Sequence, residues 1–263
     1  YRVQENLFRI SPTLNWEPSD RFELVFGPEL QITDQTSSDT LISIEQPYGS
    51  AEFNQLGLVL AFEWDSQISN TDRSSSSRLS LVPPPGEGKI SSLSRTGFNI
   101  RGEASYFPAI LDVAEDFGAF EGVATGYLGL GRRDHFVLAA RVGGRAVRGT
   151  FPWFEAAFIG GPDSNRGFPR QRFAGEESLY GNFELRIHLL KGVFIFPGRI
   201  WMFGLLDAGR VWVDGEDSSD WHPSYGGGFV FELAATPVKL WTGVAKNDDE
   251  GDLRFYFNSG FAF

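Results

Sequence analysis

The residues in this sequence with the clearest capacity for chemistry are a cation, Arg166, and two acids, Glu184 and Asp207. Arg166 stands between the pair Gly160-Gly161 and the dipeptide Gly167-Phe168. Glycine adopts backbone conformations that other residues avoid, so this segment can fold as a tight loop. A planar guanidinium makes forked, charge-assisted hydrogen bonds with carboxylates. These residue types can therefore form a directed ion pair, provided that the fold brings the loop to the acids.

Other kinds of site find little support among the reactive residues. Cysteine is absent, which excludes disulfides, thiolate zinc sites and cysteine nucleophiles. His135, His188 and His222 are too scattered for a metal cluster, and the sequence has no Gly-x-Ser-x-Gly elbow. The glycines around Arg166 are not followed by the Gly-Lys-Ser/Thr of a phosphate-binding loop. We therefore predict no catalytic residue, no metal site and no cofactor.

Composition narrows the class of protein. The 263 residues carry 23 Lys and Arg against 34 Asp and Glu, giving a net charge of -11 and a pI of about 4.8. Nucleic-acid binders usually show a basic excess or stripe, so no nucleic acid is expected as a partner. No run approaches the ~18 apolar residues of a spanning helix. This excludes a helical membrane protein but not a transmembrane β-barrel, whose strands alternate in polarity.

Apolar and polar residues alternate with a period of two along most of the chain. In the first such segment Phe8, Leu14 and Trp16 point one way, and their polar neighbours point the other. We predict about eleven strands, most of them long enough for the roughly 9 to 11 residues of a tilted membrane-crossing strand. They cover residues 7–17, 22–33, 56–65, 97–107, 120–131, 135–147, 179–190, 200–213, 224–233, 237–246 and 253–263.

The connections between these strands roughly alternate in length, as in outer-membrane barrels with brief periplasmic turns and extended outer loops. The short ones are residues 18–20, 132–134 and 234–236, and the long or acidic ones are 34–55, 148–178, 214–223 and 247–252. One connection breaks the alternation, because residues 66–96 form a long Ser- and Pro-rich stretch where a short turn is expected. We predict a mobile insertion there.

A soluble β-sandwich or a lipocalin-like barrel is the alternative fold. Such proteins pack the apolar face inside, so large aromatics rarely recur on so many strands. Here one face is crowded with Phe, Leu and Trp, while the other carries charges such as Glu184 and Arg186. The sequence therefore favours an all-β, antiparallel transmembrane barrel over residues 1–263. A carboxylate at membrane depth should face the lumen, so Glu184 and Asp207 would lie on neighbouring strands and await Arg166.

The strand count predicts more than these residues. If the chain ends in the periplasm, counting back from the last strand places Tyr1 on the outer side. Complete barrels of this kind have an even number of strands with both termini inside. An odd count of eleven thus means either that one strand is not recognisable in the sequence or that upstream strands are missing from this chain, and we favour the second interpretation.

The motifs around the loop resemble the BamA/TamA superfamily, also known as the bacterial surface antigen family, most strongly over residues 97–263. The matching pieces occur in the family's order along the chain. They are Gly160-Gly161, Arg166-Gly167-Phe168, Glu184-Leu185-Arg186, Asp207-Ala208-Gly209 and a terminal set of aromatics, Phe257, Phe261 and Phe263. The terminal set resembles the C-terminal signal of outer-membrane proteins, although Gly260 departs from the usual register.

The resemblance implies that the chain is part of a 16-stranded bacterial outer-membrane barrel, with periplasmic domains upstream of this chain. Residues 148–178 would fold inward as a lumenal plug, with Arg166 meeting Asp207 inside the barrel. The expected activity is assembly or translocation of unfolded client proteins, through the lumen or through a seam that includes residues 253–263. Outer-membrane lipids and accessory subunits are the other expected partners.

Two further functions remain open at the level of the sequence. The run from Gly209 to Glu216, with Trp221-His222 and Tyr225 to Gly228, looks like superfamily members whose barrel anchors a phosphoesterase-like domain. A passive diffusion pore is the other alternative, and the plug-like loop argues against it. The chain itself is not expected to be an enzyme.

Overall fold

The computed structural model describes residues 4–36, 45–50, 52–66, 96–131, 135–193, 197–217, 220–233, 239–249 and 251–259. These residues contain fourteen strands and a short 3-10 helix, Trp153–Glu155. The strands are β1 Gln4–Ile10, β2 Leu14–Ser19, β3 Phe22–Thr36, β4 Phe53–Asp65, β5 Gly97–Phe107, β6 Phe117–Leu130, β7 Phe136–Gly149, β8 Ala157–Ile159, β9 Phe173–Gly175, β10 Glu177–Val193, β11 Pro197–Trp212, β12 His222–Leu233, β13 Lys239–Asn247 and β14 Leu253–Ser259. Among the described residues, no helix has the length and apolarity needed to cross a membrane.

Twelve of the described strands form one large antiparallel sheet in which most neighbours in sequence pair with each other. There are two exceptions: β1 and β2 both pair with β3, and β7 pairs with β10 because β8 and β9 form a separate two-stranded hairpin in the connection between them. Each of the eleven predicted strands has a counterpart, with the first divided into β1 and β2. The all-β antiparallel prediction is confirmed. The predicted insertion at 66–96 lies almost wholly outside the described residues.

The first strand is interrupted at the edge of the sheet. Both β1 and β2 pair with β3, and Ser11, Pro12 and Thr13 lie between them. A Cβ atom at Gly27 of β3 would lie 2.3 Å from the Pro12 carbonyl oxygen. The backbone between β1 and β2 therefore packs closely against β3 at Gly27. The Ser11 hydroxyl donates to Glu29 at 3.1 Å, which holds the break against the inner face.

Polarity in the sheet is the reverse of that in a soluble protein. The face that carries Phe8, Trp16 and Leu206 is exposed, and the opposite face is buried although it is rich in polar groups. The buried polar residues of that face include Glu29, Gln31, Thr33, Gln55, Arg141, Asn182, Glu184, Arg186, Asp207, Ser224, Lys239 and Asn247. An apolar exterior around a polar interior is the pattern of a membrane barrel and excludes the soluble alternatives.

The interior also contains two apolar clusters that the alternation did not indicate. One lies on β7 and β11–β13 and includes Trp201, Phe203 and Trp241. The other lies at the end where the long connections emerge and includes Phe107 and Phe117, whose rings stack with centroids 4.8 Å apart. Phe151 and Phe154 of the connection from β7 to β10 pack against this second cluster. The inner wall therefore offers apolar as well as ionic contacts to that connection.

Candidate functional site

The connection from β7 to β10, called here the plug loop, comprises residues 150–176, within the predicted 148–178. Its tip, residues 160–168, is folded on itself. Gly160 and Gly161 have φ values of 121° and 92°, a region that favours glycine. The Gly161 N–H donates to the carbonyls of Asn165 and Phe168, both at 3.0 Å, and the Gly160 N–H donates to the Ser164 hydroxyl at 2.8 Å. The paired glycines thus close the turn that presents Arg166.

Arg166 is buried against the inner wall and holds Asp207 of β11 with a fork. Its Nε and Nη2 atoms donate to the two Asp207 oxygens at 2.8 and 2.6 Å, and its backbone N–H donates to Oδ2 at 3.0 Å. The remaining Nη1 donates to Glu184 of β10. The structure therefore brings together the cation and the two acids that the sequence singled out. We call these three residues the tip clamp.

Arg186 supports the tip clamp from the second side of Glu184. Its Nε donates to Glu184 Oε2 at 2.7 Å, so the carboxylate is shared between two guanidinium groups. The Arg186 guanidinium lies 5.1 Å from the ring centre of Trp241 and 5.6 Å from that of Tyr127. Cation–π contacts of this kind hold a buried guanidinium in place. Arg186 is thus positioned to orient Glu184 towards the loop.

Asn182 links the loop, the wall and a third arginine, and sequence reasoning gave it no such role. The register of β10 and β11 places Asn182 opposite Asp207. Its Nδ2 donates to Asp207 Oδ1 at 2.8 Å and to the Ser164 carbonyl at 2.7 Å, while its Oδ1 accepts from Arg141 Nε at 2.8 Å. Its place in the polar alternation of β10 was visible in the sequence, but the cross-strand register was not.

The far side of the tip rests on β12 and β13. The Gly167 N–H donates to the Ser224 hydroxyl at 3.2 Å, and its carbonyl accepts from Asn247 at 3.0 Å. A Cβ at Gly167 would lie 2.3 Å from that of Ser224, so the approach requires glycine. Ser224 also donates to Asn165 at 2.7 Å. The tip is thereby tied to four consecutive strands of the sheet, β10 to β13.

Phe168 is buried in an aromatic group next to the tip clamp. Its ring meets those of Phe173 and His222 edge to face, with centroids 5.1 and 5.8 Å away. Phe173 and His222 stack on each other at 3.7 Å. Because His222 also contacts Asp249 at 2.5 Å, the aromatic group connects the plug loop to the connection between β13 and β14. Phe168 therefore contributes packing where Arg166 contributes charge.

A second attachment lies at the start of the plug loop, and no motif in the sequence indicated it. Glu155 is buried and accepts from Arg145 of β7 at 2.5 Å and from Gln55 of β4 at 2.9 Å. Arg145 also faces Glu121 of β6 at 3.4 Å. We call Glu155, Arg145 and Gln55 the root anchor. It fastens the loop to the N-terminal half of the sheet, opposite the tip clamp.

The remaining predicted residues lie at the C-terminal end. Phe257 is on the exposed face of β14, which pairs with β13, and no described strand lies on its other side. Phe261 and Phe263 lie outside the described residues. Within the described part of the chain, no group of three or more His, Cys, Asp or Glu could hold a metal ion.

An antiparallel sheet with an apolar exterior and a loop pinned to its polar interior defines a plugged outer-membrane β-barrel. Residues 90–263 match the family model described as the Omp85 superfamily domain, and the chain belongs to this superfamily. No curated protein matches the sequence. The protein is therefore a barrel of the bacterial outer membrane.

Two solved structures have the same fold. BamA from Haemophilus ducreyi lacking POTRA domains 1–3 is 14% identical, with a TM-score of 0.68 over 98% of this chain and 54% of that chain. CdiB from Acinetobacter baumannii is 13% identical, with a TM-score of 0.57 over 98% of this chain and 41% of that chain. The chain thus spans about half the length of the BamA structure and less of the CdiB structure.

Proposed function

We propose that this barrel inserts or exports unfolded client proteins and that Arg166 keeps its plug loop in the working position. The contact of Arg166 with Asp207 and Glu184 carries the proposal, because it fixes the tip to the wall by groups that cannot exchange partners with water. A buried guanidinium without its acids is costly, so the tip has one strongly preferred seat. If this attachment were lost, the tip of the plug loop would no longer be held against the inner wall of the barrel.

The route of the client is a separate part of the proposal. We infer that β14 forms one side of a seam at which client strands pair by β-augmentation. Its edge away from β13 has no partner among the described residues, and its outer face carries the highly exposed Phe255 and Phe257. Such an edge is a template for another strand. Upstream strands would complete a barrel of about 16 strands, and periplasmic domains would precede them. Outer-membrane lipids and accessory subunits would surround the barrel.

Replacing Arg166 with alanine tests the proposal. The matched control is Arg170→Ala, because Arg170 lies on the same loop with its side chain 74% exposed. We expect Arg166→Ala to lower the amount of client assembled or secreted, with the barrel itself still inserted, and the control to behave as the parent protein. Normal client handling by an inserted Arg166→Ala protein would refute the role of the clamp.

The alternatives from the sequence find no specific support in the geometry of their own residues. Gly209 gives room to Ile159 of the plug loop, since its Cβ would lie 3.1 Å from that side chain. His222 packs against the loop through Phe173. Both residues thus contact the plug loop, and these contacts do not require an attached phosphoesterase-like domain. A passive pore would gain nothing from two separate attachments of the loop.

A further inference from the structure

Tyr256 differs in its setting from the two aromatic residues beside it on β14. Phe255 and Phe257 lie on the outer face and are highly exposed, whereas Tyr256 lies on the inner face, opposite Gly243 of β13. Its ring packs against the apolar cluster on β7 and β11–β13. Its hydroxyl oxygen is buried and has no hydrogen-bond partner in the part of the chain that the structure describes. Packing of the ring therefore holds this side chain in place.

Glycine residues make room for the ring on the inner face of β12 and β13. A Cβ at Gly243 would lie 2.6 Å from the Tyr256 hydroxyl oxygen and 2.7 Å from Cζ, so the end of the ring rests directly on the backbone of β13. Gly226 and Gly228 share the inner face of β12 with Ser224, and a Cβ at either glycine would lie 2.0 Å from a carbonyl oxygen of β13. The backbone of β13 is thus on the inner side of β12. The wall bends inward before it reaches β14, and this bend carries Tyr256 towards the plug loop.

The tip clamp is close to this side chain. All three residues of the tip clamp lie within electrostatic range of the Tyr256 hydroxyl. A chain of contacts also joins them. The apolar cluster under the ring contains Trp241, and the Trp241 ring holds the Arg186 guanidinium that orients Glu184. The strand β14 is therefore connected to the tip clamp both by proximity and through packed side chains of β13.

We propose that Tyr256 is a positioning residue through which β14 and the tip of the plug loop stabilise each other. While the ring lies over Gly243, it completes the apolar cluster, and the cluster keeps Arg186 directed towards Glu184. A movement of β14 away from β13 withdraws the ring and loosens the tip. Because the coupling free energy between two sites is reciprocal, release of the tip also loosens β14. The part of β14 as a seam rests on the proposed function, whereas the coupling is a property of the folded barrel itself.

Hydrogen exchange of the intact protein in detergent micelles tests this coupling in both directions. Tyr256→Ala should lower the protection factor of the Gly161 amide, which closes the turn of the tip, by about ten-fold, within the usual range of coupling between sites. Arg166→Ala should lower the protection of the β14 amides that pair with β13 by a similar factor. Tyr256→Phe retains the ring and should behave as the parent protein. The matched control is Tyr225→Ala, which removes an exposed tyrosine from the outer face of β12 and should leave the tip unchanged.

A double variant distinguishes coupling from two separate packing defects. In the Arg166→Ala protein, adding Tyr256→Ala should cost the Gly161 amide little further protection, because both changes release the same tip. Gly243→Ala should reproduce the effect of Tyr256→Ala, since its methyl group displaces the ring without removing it, and it serves as the test if Tyr256→Ala does not fold. Loss of protection in β14 alone, or losses that multiply in the double variant, would overturn the proposal. No client is present in these measurements, so their outcome is independent of whether the barrel handles client proteins.

Discussion

Arg166 and Asp207 are joined by three hydrogen bonds, two from the guanidinium and one from the backbone N–H of Arg166. A single bond would allow the loop to pivot, whereas three bonds to one carboxylate fix both its distance and its orientation. Glu184 then takes the remaining edge of the guanidinium. The tip of the plug loop is thus positioned on β11 and β10 with little rotational freedom.

The tip clamp predicts strong coupling between its two main partners. Arg166→Ala and Asp207→Asn should each destabilise the seated loop, with about 3–5 kcal/mol as the fully buried limit and less in a hydrated lumen. The double variant should be little worse than either single one, because both remove the same contact. Thermal unfolding in detergent measures the three values. Fully additive losses would mean that the two residues do not act through each other.

The root anchor predicts a second, separate loss. Glu155→Gln keeps a side chain of the same shape but removes the charge that meets Arg145 at 2.5 Å. We expect faster protease cleavage within residues 150–159 and a small change at the tip. Glu216→Gln, an exposed acid in another connection, is the control. If cleavage of the loop is unchanged in Glu155→Gln, the tip clamp alone seats the loop.

The close approach of Gly167 to the wall predicts a steric test. Gly167→Ala should unseat the tip, because the new methyl group would lie 2.3 Å from the Ser224 Cβ. Adding Ser224→Gly removes the opposing atom and should restore part of the seating, although the hydrogen bond to the hydroxyl is lost. Gly126→Ala, which has open space around it, should be silent. Protease protection of the loop distinguishes these cases, and the absence of rescue would contradict a purely steric cause.

The connection between β5 and β6 predicts a dependence on pH. Asp116 accepts from the Tyr106 hydroxyl at 2.6 Å and from the Ala109 N–H at 2.7 Å, and these bonds lower its pKa from the ordinary value. The carboxylate therefore stabilises this connection at neutral pH, and the contribution is lost as the pH falls through the lowered pKa. The protection factor of the Ala109 amide, which is its intrinsic exchange rate divided by its observed rate at the same pH, should fall at acidic pH. In Asp116→Asn this loss of protection with pH should be absent; an identical pH profile would exclude Asp116 as its source.

Strand positions were predictable because alternation is a local property of the sequence. Phe8, Trp16 and Leu206 could be assigned to the exterior from their spacing alone. Arg166, Glu184 and Asp207 were recognisable as a group because the loop glycines and the polar faces of two strands identified them. In each case the signal lies within about ten consecutive residues, the length of one strand.

Contacts between distant segments were not predictable in the same way. Glu155 meets Gln55 across 100 positions of the chain, and nothing near either residue marks the other. Asn182 gained its role from the register of β10 against β11, which depends on pairing rather than on composition. The inward-facing Phe107 and Phe117 were hidden because apolar residues occur on both faces of their strands. Side-chain pairing across the lumen requires the folded wall.

The gap between β1 and β2 limits what can dock along that margin of the sheet. Proline has no amide hydrogen, so Pro12 cannot donate a backbone hydrogen bond to a strand that pairs with this edge. A strand that pairs with this edge would meet two short strands, of 7 and 6 residues, instead of one continuous strand. An upstream strand that completes the proposed barrel on this flank would therefore pair in two separate pieces. The opposite flank, at β14, has no such interruption from Leu253 to Ser259.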